Sequence, residues 1–414
     1  MASYLPYEPM QQMLLPEALQ DWLPEGHLAY FISDTVDGLD LQAFHARYAS
    51  GGPRNQPFHP AMMVKMLVYA YATGVFSSRK IARKLQEDVA FRVLAAGNFP
   101  AHRTISDFRA FHLKELSELF VQVVRLAREM GLVKLGTIAV GGTKVKANAS
   151  RHKAMSYSHM LKAEAELKSQ IAALLDKARS ADEAEKNEPE LDIPAEIARR
   201  HDRLNAIAEA RARLEQRQRD ADLERGRSDD DDRRPKGKDG KTKGGRAGGG
   251  YDASYNAQTA VDDTAHIIVA AELTNNASDA GELPTMLHAV KNNLGQTPEQ
   301  ALADTGYRSE TVFEQLADSG TDLVVALGRE GKQQLGFDPA RSPHLAEMAA
   351  KLQSPDGKAA YRRRKWIAEP PNGWVKNVLG FRQFSLRGLH RVQAEWKLVC
   401  LALNLRSMCV LKAA

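Results

Sequence analysis

The segment from Gly136 to Ser150, GTIAVGGTKVKANAS, constrains this chain more than any other. Thr137, Ile138, Ala139 and Val140 form an apolar run too short for a helix, and Thr143, Lys144, Val145 and Lys146 continue it in rough alternation. That is the pattern of a strand with a kink at Gly141-Gly142. The sequence before it has a helical period, a long charged helical stretch follows it, and strand signals return only afterwards. The segment therefore opens a mixed domain that an insertion interrupts, and the two glycines at its centre need a reason.

A chain of 414 residues exceeds one ordinary domain. No apolar run is long enough to cross a bilayer, and the N-terminus lacks the basic start and unbroken apolar stretch of an export signal, so a cytoplasmic protein without a membrane partner is expected. Cys400 and Cys409 have no Cys or His at ligand spacing, which favours buried thiols over a zinc site or a disulfide. The net charge is only +5, yet Lys and Arg cluster at Arg79 to Lys84, Lys236 to Arg246 and Arg362 to Lys365. Such clusters suit a polyanion, although any one alone reads equally as a solvated helix face.

Residues 1–130 read as a helical N-terminal domain. Ala29, Ile32, Val36 and Leu39 share one face, Gly51-Gly52-Pro53 marks a loop, and Met63, Met66, Leu67, Ala70 and Tyr71 form a core stripe. After Ser77 or Ser78 as N-cap, Ile81, Ala82 and Leu85 face inward and leave Arg79, Lys80, Arg83 and Lys84 outward, as a helix-turn-helix would present them to DNA. Thr104 and Asp107 have capping-box spacing in the next helix, where Arg103, Arg109 and His112 add positive or titratable groups.

The first core strand falls within 131–157. Residues 158–225 then read as an antiparallel helical hairpin, with Leu161, Leu167, Ile171, Leu174 and Leu175 on one apolar stripe and Ile197, Leu204, Ile207 and Leu214 on the other. Residues 226–250 are a charged, glycine-rich linker whose DDDD run is better read as solvated than as a metal site.

From 251 to 414 the chain returns to strands. Tyr255 to Val261 and Ala265 to Leu273 form a hairpin, and helix, strand, helix and strand follow at Leu283–Leu294, Gln300–Asp304, Glu310–Ala317 and Leu323–Leu327. Strand, hairpin, helix, strand, helix, strand is the order of a ribonuclease H-like core, so the fold class is α/β (α+β overall) with a mixed sheet. In such a core, acids at strand ends and on a late helix hold Mg²⁺, a hard cation that takes carboxylate oxygen and leaves room for phosphate. Asp304 ends a strand before Thr305-Gly306-Tyr307, where it serves equally well as a turn or helix cap. Glu369 stands before Pro370 at what reads as a helix start, among Tyr361, Arg364 and Lys376. Trp366 and Trp374 fit base stacking or core packing alike.

Taken together, the helical region 28–115, GTKVKANASRHKAMSY, YNAQTAVD, ADTGYRS and the stretch from MAAKLQSPDG through Leu405 resemble the bacterial insertion-sequence transposases of the three-carboxylate (DDE) class. Tyr361, Arg364, Glu369 and Lys376 resemble that family's Tyr-Arg-Glu-Lys signature, with one extra residue between the Arg and the Glu.

The resemblance implies a DNA transposase that binds terminal inverted repeats and target DNA as a homodimer beside the bacterial nucleoid. It implies two Mg²⁺, with Mn²⁺ able to substitute, held by a triad whose second acid is Asp304 and third is Glu369. It further implies that Lys144, Lys146, Tyr361, Arg364 and Lys376 join the basic helix in contacting DNA. The first acid should precede the GTK triplet, but that position is Gly141. Asp262, Asp263 and Asp279 are the nearest acids after the insertion, and turn or loop acids of this kind are more often solvated. A catalytically inactive, transposase-derived DNA-binding protein is the competing expectation.

Overall fold

The computed structural model describes residues 18–48, 57–149, 157–184, 193–223, 241–242, 252–328 and 337–413. The expected loop at Gly51-Gly52-Pro53 and nearly all of the linker at 226–250 lie outside the described residues.

The helical period before Gly136 gives α1 (Leu28–Asp37), α2 (Gln42–Ala46), α3 (Pro60–Ala72), α4 (Ser78–Glu87), α5 (Val89–Leu94), α6 (His102–Phe111) and α7 (Leu113–Glu129). In α1 the expected face of Ala29, Ile32 and Val36 is buried, and the His27 imidazole caps the helix by accepting from Ala29 N at 3.2 Å. The stripe expected in α3 is instead apolar all round. Met62, Met63, Val64 and every residue from Met66 to Ala72 are buried, because α1, α5 and the C-terminal helix all pack against it.

Two basic groups of this region belong to the interior. Arg109 is buried and donates to Tyr71 Oη at 2.8 Å, Phe76 O at 3.0 Å and Ser78 Oγ at 3.3 Å. Thr104 lies inside α6, which Ala101 caps without a side-chain bond, so the expected capping box does not form. His112 is fully enclosed, tilted against Phe44 and Phe108 and edge-on to Phe111, with Tyr48 Oη 2.9 Å from its Nε2. Burial pushes its pKa from 6.5 down to about 4, with Glu115 pulling upward and Arg47 downward. It is therefore neutral at physiological pH. The unfolded chain takes up this proton near pH 6.5 and the folded chain only near 4, so stability contributed by a neutral His112 is lost as pH falls through that window. A His112→Gln variant, followed by thermal melts between pH 7 and 4, should lose less melting temperature than the parent chain.

β1 (Thr137–Lys146) follows. The chain divides by contacts into two units, one holding the N-terminal helices and the sheet, the other running from Lys146 to Tyr255 with Asn275–Ala277. The second unit contains α8 (Tyr157–Ala184) and α9 (Ile193–Leu223), whose antiparallel packing is marked by Arg211 on Glu164 at 2.5 Å and Arg200 Nε on Gln170 at 3.2 Å. Met160, Leu167 and Ile207 form its core, with Leu204 packed against them. Leu161 and Leu175, expected on the stripe, are exposed. The helical register carries them round the side of α8 that faces solvent.

After the hairpin come β2 (Asp252–Asp262), which enters the first unit at Asn256, and then β3 (Ile268–Thr274), α10 (Glu282–Leu294), β4 (Gln300–Ala303), α11 (Glu310–Leu316), β5 (Asp322–Val325), α12 (Pro343–Gln353), α13 (Pro355–Gly373) and α14 (Leu389–Ala413). The sheet order is β3-β2-β1-β4-β5. β1 pairs parallel with β4 (Ile138↔Ala301) and β4 parallel with β5, whereas β2 and β3 are antiparallel. Bonds from Asp263 N to Thr137 O (3.1 Å) and from Ala147 N to Ala253 O (2.9 Å) run β2 antiparallel to β1. This is the mixed, ribonuclease H-like sheet that the element order predicts. α13 lies against β4 and β5, while α14 crosses β3 and reaches α3 and α7.

Candidate active site

Both glycines of β1 face charged or polar groups, but on different sides. A Cβ on Gly141 would sit 3.5 Å from Ala368 Cβ and 3.6 Å from Asn372 Nδ2 of α13, ordinary contact distances. A Cβ on Gly142 would sit 2.6 Å from Gln258 Nε2, 2.8 Å from Asp279 Oδ1 and 3.1 Å from Asn256 Oδ1, too close to be accommodated without displacement. Gly142 is thus required by a close approach, and Gly141 is not. Continued two residues, the parallel register that pairs Ala139 with Leu302 sets Gly141 level with Asp304.

Asp304 follows β4 and caps the short turn Thr305–Tyr307, its Oδ1 accepting from Gly306 N at 2.8 Å. The cap reading of the sequence is therefore realised. It leaves the carboxylate at the mouth of the sheet, where a Cβ on Gly306 would lie 2.9 Å from Asp304 Oδ1 and 3.0 Å from Asp279 Oδ2. The two carboxylates consequently come within about 6 Å of each other.

Among the three acids that follow the insertion, Asp279 alone reaches this mouth. Asp262 is fully buried, accepting from Leu135 N at 2.8 Å and Thr264 N at 2.9 Å, and Asp263 pairs with Arg363. Asp279 Oδ1 accepts from Asn256 Nδ2 at 2.5 Å and Gln258 Nε2 at 2.7 Å, and Lys144 Nζ stands 3.9 Å away. Gln258 in turn accepts from the buried Tyr307 hydroxyl. Burial, then the charges of Asp279, Asp304 and Glu282, raise the Tyr307 pKa far above the ordinary phenol range, so it remains a donor. Burial lowers the Lys144 pKa; Asp279 and Glu282 oppose this, and Lys376 adds to it. Acids and lysines thus share one polar mouth. Asn256 and Gln258 alternate with Ala257 on β2 and so share one face, the signal by which this cluster could have been found in the sequence.

Glu369 is exposed on α13, 3.8 Å from Arg364 Nη2. It sits inside that helix and not at its start, since Ser354 and Pro355 open α13, and Pro370 and Pro371 lie within it ahead of a π turn at Trp374–Val378. Ala368, its chain neighbour, faces Gly141. Arg364 is largely buried and Tyr361 lies 5.8 Å from its guanidinium, so the Arg and Glu of the signature meet while the Arg keeps little surface for a ligand. Burial, with Arg382 nearby, lowers the Lys376 pKa. Trp366 and Trp374 are both exposed, the latter with its ring 5.3 Å from the Arg406 guanidinium.

On α4, Arg79 and Lys80 are exposed as expected, while Arg83 and Lys84 are drawn to Glu87 (3.6 Å) and Asp88 (3.1 Å). Lys146 is exposed at the end of β1. Among the described residues, no three His, Cys, Asp or Glu side chains converge as a ready-made ion site. No described helix is long and apolar enough to cross a membrane.

Two family descriptions match the chain: "Transposase DDE domain" over residues 228–405 and "Transposase domain (DUF772)" over residues 17–110. No curated protein and no solved structure matches it. The first match spans Asp279, Asp304, Glu369 and the strands β2 to β5, and the second covers α1 to α5 and nearly all of α6. Enzymes of this class generally work with divalent metal ions and act on DNA. With transposase domains matched over 17–110 and 228–405, and a mixed β3-β2-β1-β4-β5 sheet most of whose strands lie in the second of these ranges, the chain belongs to the insertion-sequence DDE transposases.

Proposed function

We propose that this transposase recognises the terminal inverted repeats of its own element as a homodimer and carries a cleavage site crippled by Gly141. The observation that bears the reading is the register of β1 against β4, which brings Gly141 level with Asp304 at the mouth of the sheet. Asp304 and Glu369 are the surviving acids of the triad. Bound there, two Mg²⁺, or Mn²⁺ in their place, would activate the attacking oxygen and stabilise the leaving one. Lys144 and Lys376 neutralise phosphate beside the acids. Arg79 and Lys80, with Arg83 and Lys84 released from their acidic partners, hold the duplex through α4, and Tyr361 adds to the contact surface.

A second reading follows from Gly141 itself: a DNA-binding protein that no longer cleaves. The two separate in a nicking assay with Mg²⁺ or Mn²⁺ on a duplex carrying the element end. We expect slow, metal-dependent nicking by the parent chain and none above background by Asp304→Asn, with duplex affinity unchanged between them. Equal, background-level nicking by both establishes the second reading.

A further inference from the structure

We propose that Asp279 and Asp304 together bind one divalent cation, Asp279 supplying the carboxylate that Gly141 does not. The proposal rests on the transposase reading for the presence of such a cation, but its geometry is this chain's own. Asp279 Oδ2 and Asp304 Oδ1 both border the space that the missing Gly306 side chain leaves open. The other oxygen of Asp279 is fixed by two amide donors, an arrangement that orients a carboxylate toward a cation. Among the described residues nothing donates to Oδ2. The Asn256 side chain is completely buried and its Nδ2 holds Asp279 Oδ1, yet its own Oδ1, beside Gly142, has no hydrogen-bond partner. A buried orphan acceptor next to a carboxylate is costly unless a cation or its bound water satisfies it. Two carboxylates suffice for one ion, since Mg²⁺ and Mn²⁺ complete their shells with water and substrate phosphate. The site thus holds one cation without DNA, and a second lacks its acid.

Mn²⁺ binding to the full chain, followed by electron paramagnetic resonance, tests this. The parent chain should bind one Mn²⁺; Asp279→Asn and Asp304→Asn should each weaken it by about tenfold or more, and Glu369→Gln by less than about twofold. Binding lost in Asp304→Asn but intact in Asp279→Asn overturns the role of Asp279 and leaves the transposase reading standing. Binding absent from the parent but gained in Gly141→Asp does the same. Absence from both overturns the metal-dependent reading as well. A measurement that needs no variant guards against misfolding: Fe²⁺ with ascorbate and peroxide should cut the parent backbone around Asp279 and Asp304. Cuts confined to the neighbourhood of Glu369 would overturn the assignment.

Discussion

Gly141→Asp should accelerate Mg²⁺-dependent nicking of an element-end duplex by about 100-fold or more, roughly 2.7 kcal/mol of barrier. Transfer at phosphorus depends on positioned charge with little covalent help from the protein, so one missing carboxylate is felt in the rate and not in the fold. The position accepts the change. A Cβ at Gly141 meets Ala368 and Asn372 at 3.5 and 3.6 Å, and the Asn372 amide offers a donor to the new carboxylate. The informative control is Gly142→Asp, whose side chain would press into Gln258 and Asp279; it should give no acceleration and a lower melting temperature. Equal rates for the parent chain and Gly141→Asp would show that the missing acid has been assigned to the wrong residue.

Arg109→Met should destabilise the chain by about 3–5 kcal/mol, read from denaturant midpoints. The guanidinium is buried and donates to Tyr71 Oη, which donates at 3.0 Å to Glu395. Glu395, also buried, accepts from the backbone N–H groups of Ser385 (3.0 Å) and Leu386 (2.9 Å). Removing the cation leaves a buried carboxylate without its compensating charge, whereas Tyr71→Phe removes only a relay and should cost about 1–3 kcal/mol. If Arg109 acted on DNA, the substitution would instead lower duplex affinity with stability unchanged.

That network also shows why part of the molecule was hidden in its sequence. Strand β1 and α10 are legible nearly to the residue, and the β2–β3 hairpin to within three residues at the start of each strand, because apolar periodicity is a local signal. In the sequence Arg109 reads only as one more positive group of its helix, because its partners, Tyr71 and Glu395, lie 38 residues before it in one case and across most of the chain in the other. His112 reads only as a positive or titratable group for the same reason, its neutrality arising from the rings folded around it. Pro370 suggested a helix start by a rule that holds for most helices, but α13 runs through both prolines into a π turn. Asp304 was found from its strand end. Asp279 was named only among several loop acids, since nothing local tells that Asn256 and Gln258 from another strand will seize its carboxylate.

The insertion between β1 and β2 has a consequence for how the protein is born. Thr259, opposite Gly141 on the adjoining strand, is 118 residues further along the chain, and β4 begins later still, at Gln300. Both hydrogen-bonding flanks of the central strand therefore wait for partners synthesised after it, and the helices described before it have none to offer. For as long as translation takes to cover that distance, the nascent polypeptide carries an apolar strand with two bare edges, the species most prone to pair with a stranger. Halving the insertion would change the loop-closure cost by only about 0.6 kcal/mol. It would nevertheless roughly halve the time that β1 spends unpaired, so yield on expression, more than equilibrium stability, is the property the insertion governs.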